Sequence, residues 1–221
     1  LRRMAIRLAL CNGLIVALLG TAMAQGVDKP LKLVAFGDSL TAGYQLPPPD
    51  SFPGQLERAL KAKGHAVTII NAGVSGDTTA AGLERLQWSV PEGTDAVVLA
   101  LGANDAMRGL DPGQAKANLD RMIQMFKVQG ANVLLVGMYA PRSMGDAYVK
   151  SFDGLYAELA KKHDVPLYPF FLDGVALKPG LNLADGIHPN AKGVAVMVEK
   201  IMPSVEALIA RTKAVKAAKK S

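Results

Sequence analysis

This sequence predicts an α/β fold, a three-layer sandwich of one parallel sheet between two layers of helices. Three observations carry that prediction. Five short apolar runs recur along the 221-residue chain, they are continuous rather than alternating, and a helical pattern separates each from the next. A strand covered on both faces has no polar side, whereas a half-solvated strand alternates. Regular strand–helix alternation then places everything in one α/β domain.

The five expected strands are Leu31–Phe36, Ala66–Ile70, Ala96–Leu101, Val133–Met138 and Val165–Phe170. A first helix runs from about Ser51 to Lys63 and stops at Gly64. A second starts near Asp77 and carries Leu83 and Leu86. The third has Asp111 as N-cap, Pro112 at the first helical position and Gly130 as its stop. The fourth covers Asp146 to Lys162, and the last begins at Pro189. Pro203 is expected to kink or divide that last helix, because proline has no amide to donate. No internal repeat appears, and the only compositionally simple segment is a short Ala/Lys tail.

The two ends of the chain differ from its body. Arg2, Arg3 and Arg7 precede an apolar run from Leu8 to Gly20, followed by Ala22-Met23-Ala24. A basic region, a short apolar region and an A-x-A site describe a secretory signal over residues 1–24, with cleavage expected after Ala24. The run is shorter than the roughly 20 residues of a membrane span. The domain is therefore expected over 25–210, followed by a basic tail over 211–221.

This division also resolves the charge. The whole chain has 25 Lys and Arg against 19 Asp and Glu, a formal +6. Three of the cations are leader arginines and five lie in the tail, so the body holds 17 cations against 19 acids, or −2. No basic face follows, and nucleic acid is excluded as an expected partner. The tail reads as a solvated, frayed end. Cys11, the only cysteine, lies in the leader, so a mature chain has no disulfide and no thiol nucleophile.

Open parallel sheets bind ligands beyond the carboxyl ends of their strands. Those positions hold Gly37-Asp38-Ser39-Leu40, Asn71-Ala72-Gly73, Gly102-Ala103-Asn104-Asp105, Tyr139-Ala140-Pro141 and Asp185-Gly186-Ile187-His188-Pro189. Ser39 needs a base to become a nucleophile. Of three histidines, His65 opens a strand and His163 ends a helix, and both read as structural. His188 sits in a turn with Asp185 three residues earlier, a spacing that can fold the carboxylate onto the imidazole. This is triad logic in the order Ser, Asp, His. The amides of Ser39 and Gly73 and the side chain of Asn104 are candidate donors to an oxyanion.

Each piece has a plainer alternative. Gly37–Leu40 alone is a turn and cap, Asn71–Gly73 a strand exit, and Asn104-Asp105 a loop cap. Asp185-x-x-His188 also fits a cap at a helix start, or two ligands of a metal, although no third histidine or cysteine cluster completes one. Asp38 and Asp105 read as local backbone hydrogen-bonders. What binds the four blocks together is their order on successive strand ends.

Those blocks resemble the SGNH (GDSL) hydrolases. Ala35–Tyr44 is similar to the first family block, Asn71–Thr78 to the second, Gly102–Asp105 to the third and Asp185–Asn190 to the last. The likeness runs from about Leu31 to Ala210 and is closest to the bacterial periplasmic thioesterase, arylesterase and lysophospholipase branch. It implies a flavodoxin-like sheet of order 2-1-3-4-5. It also implies Ser39 as nucleophile, His188 as base, Asp185 as its orienter, and Ser39, Gly73 and Asn104 as the oxyanion hole. The chain has no G-x-S-x-G around Ser39, which argues against the α/β-hydrolase fold. Gln45–Ser51, with three consecutive prolines, departs most from the close branch.

The expected activity is hydrolysis of aryl or acyl esters and thioesters, including lysophospholipids, with no cofactor and no metal. A carbohydrate or peptidoglycan O-acetyl esterase is the alternative. Met107, Leu110, Tyr139, Pro141 and Met144 are the expected lining of an acyl groove, with Tyr148 beside them. Partners reduce to a small ester or thioester substrate, with no nucleic acid, no membrane span in the mature form and a monomeric chain. The expected location is periplasmic or secreted.

Overall fold

A computed structural model describes residues 29–219. The leader expected over 1–24 lies outside the described residues. Five parallel strands form one sheet of order β2-β1-β3-β4-β5, as expected. In chain order the elements are β1 (Leu31–Gly37), α1 (Ser39–Ala42), α2 (Phe52–Ala62), β2 (Val67–Gly73), α3 (Thr79–Ser89) and β3 (Ala96–Ala100). They continue with α4 (Ala103–Met107), α5 (Pro112–Val128), β4 (Asn132–Val136), α6 (Asp146–His163), β5 (Leu167–Tyr168) and α7 (Ala191–Ala218).

Two helical layers enclose the sheet: α2 packs with α7, and α5 packs with both α3 and α6. Continuous burial of β1 and β3 follows from that double cover. On one face Phe36 meets Phe126 edge-on at 5.7 Å, and on the other Phe52 meets Phe171 at 4.8 Å. The caps obey local chemistry. Ser51 accepts from Gly54 N–H at the start of α2, and Asp111 accepts from Gly113 and Gln114 at the start of α5.

Three boundaries differ from expectation for physical reasons. β2 runs past Ile70 to Gly73, because Asn71, Ala72 and Gly73 stay in register with Ala35, Phe36 and Gly37. β5 shrinks to two residues, since Pro166 and Pro169 flank it and neither can donate to a ladder. Pro203 does not divide the last helix, which continues unbroken through it. Its neighbours Met202, Val205, Leu208 and Ile209 are buried, and that packing outweighs one missing hydrogen bond.

The basic tail is likewise not a frayed end. α7 continues to Ala218 with Thr212 buried, Arg211 pairs with Asp164 at 3.1 Å and Lys216 with Asp95 at 2.5 Å. Among the described residues, no helix is long and apolar enough to cross a membrane.

Candidate active site

Ser39 is the first residue of α1, immediately after β1. Asp38 caps that short helix by accepting from Leu40 N–H at 3.0 Å, and Gly43 closes it in the left-handed region at φ 80°. The turn presents the Ser39 hydroxyl at the carboxyl edge of the sheet. His188 comes from the loop before α7, 149 residues later in the chain, and its Nε2 lies 2.9 Å from Ser39 Oγ.

Asp185 completes the row. Its Oδ2 lies 2.7 Å from His188 Nδ1, while its Oδ1 accepts from the N–H groups of Ile187 and His188 at 2.9 and 3.0 Å. A carboxylate can only accept, so Nδ1 carries the proton and Nε2 is left to accept from the serine. The backbone bonds from His188 and Ile187, with the imidazole's own bond, lower the Asp185 pKa to about 2. It therefore stays ionised at neutral pH.

The two other sequence-predicted blocks border the same point. Gly73 ends β2 against α1 so closely that a Cβ there would lie 2.3 Å from Ala42 N. No other residue fits. Its amide donates to Asn71 Oδ1 at 3.0 Å, and Asn71 Nδ2 donates to Ala42 O at 3.1 Å. Asn104, in α4, donates through Nδ2 to Asp77 O at 2.9 Å. A primary amide has two N–H bonds, so one remains. Ser39 N–H belongs to the first turn of α1, whose amides have no intrahelical acceptor.

The acidic residues next to the motifs divide. Asp38 bonds locally, as expected; burial is the main cause that pushes its pKa up to about 7. Asp105 does not bond locally. It accepts from Thr79 N–H at 2.8 Å and Thr79 Oγ1 at 2.7 Å across 26 residues, tying α4 to α3. His163 pairs with Asp120 at 2.6 Å and His65 with Glu206 at 3.0 Å, each remote from Ser39 in sequence and outside the hydrogen-bonded row.

The expected groove residues lie in the segments that follow β3 and β4. Met107 is 57% exposed, Leu110 and Tyr139 are also exposed, and Pro141 and Met144 are half-buried. The two loops touch, since a Cβ on Gly109 would sit 2.8 Å from the Met144 methyl. Tyr148 ties the two loops together, its hydroxyl donating to Leu110 O at 2.8 Å. A concavity of about 660 Å³ between α2 and α7 contains none of these groups. Chemistry, not volume, locates the site.

Sequence reading missed three contributors. Tyr44 packs against the His188 ring, tilted by 36° with centroids 4.4 Å apart. Asn71 holds the Gly73 peptide, and Arg85 is buried against Asp77 at 2.5 Å. Arg85 had one available signal: it sits beside the apolar stripe of α3 formed by Gly82 and Leu86, where a cation is out of place.

Residues 35–196 match the GDSL-like Lipase/Acylhydrolase family. The chain belongs to that family. It is an enzyme of the carboxylic ester hydrolase class. An arylesterase of Vibrio mimicus is 44% identical over 160 residues, covering 72% of this chain and 80% of that one. Thioesterase 1/protease 1/lysophospholipase L1 of Escherichia coli K12 is 35% identical over 178 residues, covering 80% and 84%. A crystal structure of TesA gives a TM-score of 0.76 at 36% identity, over 80% of this chain and 99% of that one.

Proposed function

We propose that this family member is a serine esterase and thioesterase that works through an acyl-enzyme. The observation that carries the reading is the unbroken row Ser39 Oγ, His188 Nε2, His188 Nδ1, Asp185 Oδ2, with contacts of 2.9 and 2.7 Å. Both distances lie within proton-transfer reach.

In this mechanism Ser39 Oγ attacks the substrate carbonyl carbon and its proton passes to His188 Nε2. The carbonyl electrons move to oxygen, giving a tetrahedral oxyanion that faces the Ser39 amide, the Gly73 amide and the free N–H of Asn104. Asn71 Oδ1 already accepts the Gly73 N–H, so that donor is shared or its side-chain acceptor displaced when the oxyanion forms. Collapse breaks the bond to the alkoxide, aryloxide or thiolate, which leaves with the proton from Nε2. Water then loses a proton to Nε2 and attacks the acyl-serine; the carboxylic acid departs and Ser39 regains its hydrogen. Asp185, ionised throughout, stabilises the imidazolium formed in both halves. No cofactor takes part.

The substrates are aryl and acyl esters, thioesters and lysophospholipids. The names of the two curated relatives support that range, and the exposed apolar side chains of Met107, Leu110 and Tyr139, with Pro141 and Met144, offer an aliphatic acyl chain apolar surface to cover. The leader motif directs the chain to the periplasm or outside the cell, where it works as a monomer. A panel of p-nitrophenyl esters from acetyl to palmitoyl, an acyl-thioester, a lysophospholipid and an acetylated sugar tests the reading. Hydrolysis of the butyryl and longer esters and of the thioester is expected. Activity confined to acetyl groups, or to the acetylated sugar, contradicts it.

A further inference from the structure

Arg85 is buried, yet its guanidinium touches no substrate-facing atom. Its Nε donates to Asp77 Oδ2 at 2.5 Å, its Nη2 donates to Gly37 O at 2.9 Å, and its Cζ lies 4.2 Å from the centroid of the Phe36 ring. The two hydrogen-bonded contacts each lead to a proposed oxyanion donor. Gly37 O also accepts from Val74 N–H at 3.0 Å; Gly37 lies two residues before Ser39, and Val74 directly follows Gly73. Asp77, gripped through its carboxylate, uses its backbone carbonyl to hold Asn104 Nδ2 at 2.9 Å. One planar cation thus joins the exits of β1 and β2 and the side chain from α4.

We infer that Arg85 is the positioning residue of the oxyanion hole, fixing Asn104 through Asp77 and the Ser39 and Gly73 amides through Gly37. This rests on the acyl-enzyme reading above. Burying a guanidinium is costly unless it is paired and hydrogen-bonded, and its rigid fork suits it to span a carboxylate and a carbonyl at fixed angles. A lysine retains the charge but lacks the fork. It can satisfy one partner and not hold both in register.

The test compares kcat and KM on p-nitrophenyl butyrate for Arg85→Lys, Asn104→Ala and the double variant, with Asp77→Asn as a milder cut at the same contact. Arg85→Lys is expected to lower kcat about 10- to 100-fold with KM changed less than about threefold, and Asp77→Asn to move kcat the same way by less. The double variant should lose at least about fivefold less than the product of the two single losses, because both act on one amide. Unchanged kcat in Arg85→Lys overturns the inference. So does a double loss equal to the product, which marks a merely structural residue. If Arg85→Lys does not fold, Asp77→Asn combined with Asn104→Ala gives the same two outcomes. Failure of the underlying reading shows separately, as wild-type protein that no fluorophosphonate labels at Ser39.

Discussion

The two ends of the sheet use the same polar residue types and do different things with them. At the amino end Lys216 pairs with Asp95, Arg211 with Asp164, and Lys32 reaches the carbonyl of Glu92. Lys216 and Arg211 are about half exposed and each meets one carboxylate, while Asp95 also accepts from the Lys32 amide at 2.8 Å. At the carboxyl end each group hands on to another: Asp185 to His188 to Ser39, and Asn104 to Asp77 to Arg85 to Gly37. Exposed pairs are screened and worth little, whereas linked and partly buried groups fix one another's geometry. Connectivity, not the number of charges, separates a reactive edge from a decorated one.

Four changes break or sharpen that contrast, beginning with the largest. Asp185→Asn should cost about 10⁴ in kcat, since the amide no longer holds the imidazole in the tautomer that accepts from Ser39. Stopped assays on p-nitrophenyl butyrate read it. Because Asp185 is held to about 2, this carboxylate should add no proton to the acid limb of wild-type kcat/KM above pH 4. An acid limb above pH 4 that disappears in Asp185→Asn contradicts the assignment. Next, Asn104→Ala should lower kcat about 10²- to 10³-fold with a smaller change in KM.

The third change concerns stability. Burial holds Asp38 at about 7 against 3.8 in an unfolded chain, so the stabilising share of this carboxyl is full below 3.8 and lost as pH rises through 7. Asp38→Asn removes that titration. The fall in Tm between pH 4 and pH 8 should be smaller than in wild type, and an equal fall contradicts the burial argument. Smallest is Lys216→Met at the opposite end, where an ion pair with a half-exposed lysine should shift stability by less than about 1 kcal/mol and leave kcat alone.

Much of this was legible in the chain, because apolar periodicity and cap chemistry are local. Asp111-Pro112 opened α5 and Ser51 opened α2 where their residue types required. The spacing of Asp185 and His188 also predicted a contact that the turn makes. Features that depend on distant partners were not legible. β2 reached Gly73 because a neighbouring strand kept it in register, and Pro203 stayed inside α7 because the helix was buried on both sides of it. Tyr44 gave no sign that its ring would meet His188, 144 residues later. Asp105 looked like a loop cap, and only the approach of α3 shows that Thr79 is its partner.

The central claim is that the linked row at the carboxyl edge makes Ser39 a nucleophile. Fluorophosphonate labelling followed by peptide mapping tests it directly, comparing wild type with Ser39→Ala. One phosphonyl group should be found on Ser39 in the wild type, with labelling and esterase activity both abolished in the variant. Labelling at any other residue, or esterase activity surviving Ser39→Ala, contradicts the account.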